Sequence, residues 1–169
     1  MTTHTVQVNL SIDGPAAWHR MRDFSVAHQY VPDLTGTRIN TEQRNDVGAS
    51  RTVFRTGGAT LDETIVEWHE GNGFVIRLHQ GDQPLKPFTE ARFHYRLKVT
   101  EVGSSMVELA IEYSMPWGWL GRWLDRRLIS PAMRKTLVQT AAGLKHYYET
   151  GRPATDDDRQ AFRSCVRTL

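Results

Sequence analysis

Alternation of apolar and polar side chains dominates the middle of this chain. Phe93, Tyr95, Leu97 and Val99 face one way, and Arg92, His94, Arg96 and Lys98 the other. That period of two is the pattern of a half-buried strand. Similar runs at residues 4–12, 34–43, 49–56, 59–70, 74–80, 90–102 and 105–115 predict seven strands. Asn45-Asp46-Val47-Gly48, Gly57-Gly58, Gly71-Asn72-Gly73 and Gly103 supply turns between them. The connections are short, so an antiparallel meander is expected, with residues 81–89 (Pro84, Pro87) as a loop.

Helical spacing occurs at both ends. After the Asp13-Gly14-Pro15 turn, Ala16, Ala17, Trp18, Met21 and Phe24 predict one short helix, and residues 25–30 a second, stopped by Pro32. Beyond Pro116 the period changes for good: Met133, Leu137, Thr140, Ala141, Leu144 and Tyr148 form one stripe. Ser130-Pro131 reads as a cap and first turn, which predicts helix over 118–129, a kink, helix over 131–149, and a stop at Gly151. The fold class is therefore α+β: a curved seven-stranded antiparallel sheet wrapped around a long kinked C-terminal helix, with two short helices after the first strand. Residues 1–150 form one ligand-binding domain. In the tail, 151–169, Ala161, Phe162, Cys165, Val166 and Leu169 suggest a short amphipathic helix that docks, frays or, as a lesser alternative, contacts a second copy.

Composition narrows the picture. At 169 residues, 39% hydrophobic and 24% charged, the chain suits one soluble domain. A net charge of +2 with scattered basic residues argues against a nucleic-acid partner. One cysteine, Cys165, excludes an internal disulfide. There is no signal-like start and no membrane-length apolar run, so a cytoplasmic location is expected, as monomer or homodimer.

The usual catalytic and phosphate-binding signatures are missing, and the seven histidines lack metal-ligand spacing, so no metal or cofactor is expected. The pocket argument is stronger. The face of 49–56 that carries Val53 also carries Arg51, and the face of 59–70 with Leu61 and Ile65 also carries Glu63. If these faces point inward, two charges lie inside an apolar cup and are expected to pair. Such a pair either braces the sheet or anchors a ligand. Tyr95 and Tyr113 would add hydroxyls to a wall of Phe74, Ile76, Phe93 and Leu97, with Leu137 and Ala141 opposite on the helix. Separately, Trp117, Trp119 and Trp123 interleave with Arg122, Arg126 and Arg127, a composition that suits peripheral membrane contact or simply a helix start packed on the sheet.

Several of these segments resemble the START and birch-pollen-allergen superfamily, SRPBCC, in its bacterial polyketide cyclase/dehydrase and lipid-transport branch. They are Ile12-Asp-Gly-Pro-Ala-Ala-Trp18, Asp23-Phe24, Tyr30-Val-Pro32, Val47-Gly48-Ala-Ser-Arg51, Glu63-Thr-Ile65 and Gly143-Leu-Lys-His-Tyr-Tyr-Glu149. The resemblance spans about residues 4–149 and departs at Thr64, where many relatives carry Arg. It implies a helix-grip fold with a hydrophobic cavity between sheet and final helix, and an Arg and a Glu facing that cavity. Three functions follow as expectations. The first is a carrier or binding protein for a lipid, isoprenoid quinone or polyketide, with entry gated by the kinked helix and the 81–89 loop. The second is a cyclase or dehydratase with Glu63 as general base and Arg51 or Tyr95 stabilising an enolate. The third is a membrane-docking transfer module.

Overall fold

The computed structural model describes the whole chain, Met1–Leu169. Its strands are β1 Thr2–Leu10, β2 Leu34–Ile39, β3 Ser50–Arg55, β4 Thr60–His69, β5 Gly73–Gln80, β6 Gln83–Pro84, β7 Glu90–Val99, β8 Ser105–Ser114 and β9 Val166–Thr168. All pair antiparallel in the order β2-β3-β4-β5-β7-β8-β1-β9, with β6 folded back on β5. Seven of these are the expected strands. The two extra ones are short: β6 lies in the segment expected to be loop, and β9 comes from the tail. With β6 aside, consecutive strands from β2 to β8 pair through connections that are tight except for residues 40–49 and 81–89, but β1 pairs with β8, the last strand of the main sheet. One irregularity matters for the interior. A bulge between Ile65 and Glu67 shifts the parity of β4, so Glu63, Ile65 and then Trp68 all face the same way.

Helix α1, Gly14–Met21, starts where the Asp13 carboxylate accepts from the Ala16 amide at 2.8 Å. The expected second helix is a single 3₁₀ turn, Ala27–Gln29, inside an otherwise irregular 22–33 segment. The late helix runs as α2 Gly118–Leu124, a π-helical turn Asp125–Ile129, and α3 Ser130–Thr150. Ser130 does not cap a new helix. Its backbone is helical (φ −58°, ψ −46°), and its N–H donates to the Asp125 carbonyl five residues back. Pro131 has no N–H to give and would crowd the carbonyl one turn earlier; the helix answers by widening ahead of it instead of breaking. In the tail, α4 Asp156–Phe162 carries a capping box of Thr155 and Asp158. The predicted helical stripe ends there, because Val166–Thr168 pairs with the free edge of β1. No helix is long and apolar enough to cross a membrane.

The sheet curves around α3 in the helix-grip arrangement. Leu137, Ala141, Leu144 and Tyr148 of α3 pack into one cluster with Val6, Ile65, Ile76, Tyr95, Leu97 and Leu109. A Cβ on Gly143 would stand 2.3 Å from the Tyr30 carbonyl oxygen, so only glycine lets α3 press this closely on the 22–33 segment.

Polar side chains tie the π turn to the sheet. Tyr113 Oη donates to Asp125 at 2.5 Å, and Thr2 Oγ1 donates to the other carboxylate oxygen at 2.8 Å. His4 Nε2 lies 2.6 Å from Ser130 Oγ, while Arg134 Nε donates to His4 Nδ1 at 3.2 Å. Since Nδ1 accepts, the neutral imidazole carries its proton on Nε2 and gives it to Ser130. Burial and the neighbouring Arg134 hold the His4 pKa below its ordinary 6.5. The unfolded chain therefore takes up a proton first as pH falls. Stability from this site is complete above about pH 6.5 and declines below it, by at most about 1.4 kcal/mol per pH unit. Urea denaturation between about pH 8 and 5 should show that decline, and His4→Gln should flatten it. The carboxylates whose pKa is lowered, Asp62 and Glu108 among them, act in a separate window below their ordinary 3.8 and 4.5.

Candidate functional site

The β3–β4 register sets Arg51 directly opposite Glu63, with both side chains on the concave face. They keep only 2% and 7% of their exposure. Arg51 Nε donates to Glu63 Oε2 at 2.5 Å, and a second guanidinium nitrogen reaches the same oxygen. The remaining nitrogen donates to the Phe24 carbonyl at 2.5 Å, and the guanidinium carbon sits 3.9 Å from the centre of the Phe24 ring. Removing such ions from water costs several kcal/mol each, so each hydrogen bond here offsets a penalty. Phe24 lies between α1 and β2, which means the ion pair also fastens the 22–33 segment to the sheet.

Three phenols surround the pair. Tyr30 Oη donates to Tyr95 Oη at 3.3 Å, and Tyr148 of α3 meets the Tyr30 ring edge-on at 6.0 Å between centroids. Burial pushes the pKa of all three up, so they are neutral at physiological pH and able to donate. The Tyr148 hydroxyl is fully buried and has no hydrogen bond of good geometry, although the Tyr30 phenol lies close by. The other buried atom in that state, His94 Nδ1, lies on the outer face of β7. Rings continue outward from Tyr95 through Phe74 and Trp68 to Trp18, each within 5.5 Å of the next. Glu70 ends the series by accepting from both indole N–H groups at 3.0 Å.

The other residues expected to line a pocket are placed as follows. Val53, Ile65, Phe74, Ile76, Leu97, Leu137 and Ala141 are buried, and Phe93 is half-buried. Tyr113 is buried too, but its hydroxyl is committed to Asp125, in the separate polar cluster around His4. Val53, Ile65, Ile76, Leu137 and Ala141 keep 2% exposure or less, so side chains close the part of the interior where these residues meet, while Phe93, Met115, Ile129 and Met133 pack against the core only partly buried. The space between α3 and α4 does open, with a volume of about 280 Å³, but its walls are charged: Arg134, Lys135, Asp156, Arg159 and Arg163. Three participants in the site were missing from the sequence reading: the Phe24 carbonyl, Tyr30 and the Tyr148 hydroxyl. A main-chain acceptor leaves no sequence signal. Both tyrosines stand in segments that were singled out for other reasons, the Tyr30-Val-Pro32 motif and the helical stripe. Trp117, Trp119 and Trp123 are exposed rather than packed on the sheet.

The family model for polyketide cyclase/dehydrase and lipid transport matches residues 1–149. Among curated proteins, none matches this sequence. Solved structures share the fold at low identity, which carries the fold alone. A START superfamily protein from Mycobacterium smegmatis is 14% identical with a TM-score of 0.62, over 86% of this chain and 97% of its own. Ara h 8.0201 is 10% identical with a TM-score of 0.63, over 87% and 98%. The di-domain ARO/CYC BexL is 12% identical with a TM-score of 0.66, over 86% of this chain and 46% of its own.

The buried pair makes a stability prediction. Arg51→Met or Glu63→Gln alone leaves one uncompensated group in the core and should cost about 3–5 kcal/mol in urea denaturation. The double variant Arg51→Met/Glu63→Met should cost far less than the sum, because no charge is left buried.

Proposed function

The chain belongs to the polyketide cyclase/dehydrase and lipid-transport family of the SRPBCC superfamily, and on that premise we propose that it binds a hydrophobic small molecule, a lipid, isoprenoid quinone or polyketide, between the sheet and α3. The observation that carries this reading is the unpaired Tyr148 hydroxyl beside the Arg51–Glu63 pair. A buried hydroxyl without a partner loses about 1–3 kcal/mol relative to a satisfied one. A ligand carbonyl or hydroxyl reaching this point would supply that partner, while its apolar body lay among Ile65, Phe74, Leu137 and Ala141.

Because side chains close that part of the interior, entry requires a moving part. The 22–33 segment suits the role better than the 81–89 loop. Phe24 and Tyr30 touch the polar residues directly, whereas Phe88 of the loop packs on Tyr113. Its ends are tied by Arg22 to Glu70 and by Asp33 to Arg55 and the Thr56 amide, and His28 meets Thr37. The stretch over the polar residues is held by Arg51 to the Phe24 carbonyl, Tyr30 to Tyr95, Arg159 to the Tyr30 carbonyl, and the Ala154 amide to the Gln29 carbonyl, and only these last would have to open. The cyclase alternative has less support, since Glu63 Oε2 already accepts from two Arg51 nitrogens. If turnover of a polyketide is found, Glu63→Gln should abolish it; unchanged turnover removes Glu63 as the base.

Mass spectrometry of an organic extract of the purified protein, against a mock purification, should show a stoichiometric apolar compound with one polar end. Tyr148→Phe should have opposite effects on two readouts. The thermal midpoint should hold or rise, because the unpaired hydroxyl is gone, while ligand content falls several-fold. Full ligand content in that variant would discard Tyr148 as the anchor.

A further inference from the structure

The surface from Trp117 to Leu128 is unlike the rest of the molecule. Trp117, Trp119, Leu120, Trp123 and Leu128 are 64, 74, 44, 53 and 62% exposed. Single exposed apolar residues are ordinary, but five within twelve positions form a patch that water disfavours. Leu128 lies within the π turn, on the same exposed stretch as Leu120 and the three tryptophans.

The patch points outward. Trp117 adopts a left-handed backbone, φ 68°, which costs a non-glycine residue energy and here serves no core contact. Next to it, a Cβ on Gly121 would lie 1.9 Å from the Pro116 carbonyl oxygen, so the first turn of α2 is clamped onto Pro116.

Charge identifies the partner. From Met115 to Lys135 the exposed ionic groups are Arg122, Arg126, Arg127, Arg134 and Lys135. The one acid in that stretch, Asp125, is buried and bound by Tyr113 and Thr2. A second copy facing this surface across a two-fold axis would set cations against cations. Single-stranded nucleic acid would match the arginines and stack on tryptophans, but has no use for two leucines on the same exposed stretch. A bilayer with anionic headgroups uses every component: indoles at headgroup depth, leucines below, arginines at the phosphates.

We propose that residues 117–128 dock the protein on an anionic lipid bilayer. This rests on the surface alone and is independent of what the core binds. The test is sedimentation of the full chain with phosphatidylcholine vesicles containing roughly 30% phosphatidylglycerol, against phosphatidylcholine alone. Binding is expected to the anionic vesicles at low salt, and to weaken as salt rises. Trp119→Ala/Trp123→Ala and, separately, Arg126→Gln/Arg127→Gln should each lower the partition about tenfold or more, with unchanged circular dichroism. No binding at low salt would overturn the proposal, as would binding undiminished in either variant. A dimer that the tryptophan variant dissolves, or an oligonucleotide bound more tightly than vesicles and lost in both variants, would reassign the surface and overturn it equally.

Discussion

Two opposite charges inside an apolar core set the terms for everything packed around them. Arg51 and Glu63 cannot be left to water-starved surroundings, and the fold gives all three guanidinium nitrogens and Glu63 Oε2 a partner, one of them from the distant Phe24 carbonyl. The pair fixes the β3–β4 register, because a one-residue slip would turn both side chains to the outer face. It also draws in the 22–33 segment through the Phe24 carbonyl and ring. That segment then delivers Tyr30 to the phenol cluster, and Gly143 lets α3 follow it closely enough to bring Tyr148 there. On the proposed reading, a brace and a binding site are the same set of atoms. What separates them is the one hydroxyl that the brace does not use.

The residues after the family match complete this closure. Arg159 of α4 is buried, donates to the Tyr30 carbonyl and is itself held by Asp156. The Ala154 amide bonds the Gln29 carbonyl, and β9 covers the outer edge of β1. An open edge strand invites further pairing, so β9 removes that hazard while tying the tail to the body. The 22–33 segment is thus secured both from beneath, by Arg51, and from outside, by the tail.

Much of this was legible in the residues. Alternation located seven strands within a few positions, and the 3.6-residue stripe located α3, because burying one face of a strand or helix leaves its period in the sequence. Arg51 and Glu63 stood out for the same reason, as charges in apolar phase. The interruption of the late helix was foreseen but misplaced: Pro131 announces a missing hydrogen bond, yet whether the chain breaks at it or widens before it depends on what holds the flanking turns. Here Tyr113, Thr2 and His4 hold them.

Periodicity and composition by themselves determined the class of fold, the inner faces and the Arg51–Glu63 pair among the buried charges, since those follow from which side chains water rejects. Tertiary structure decided the rest. Whether the cup is hollow or filled depends on how side chains from β1, β4, β5, β7, β8 and α3 add up in one volume. Whether Val166–Thr168 is helix or strand depends on a free edge more than a hundred positions away. That the Tyr148 hydroxyl alone goes without a partner in the site depends on three-dimensional distances among residues that no local pattern connects.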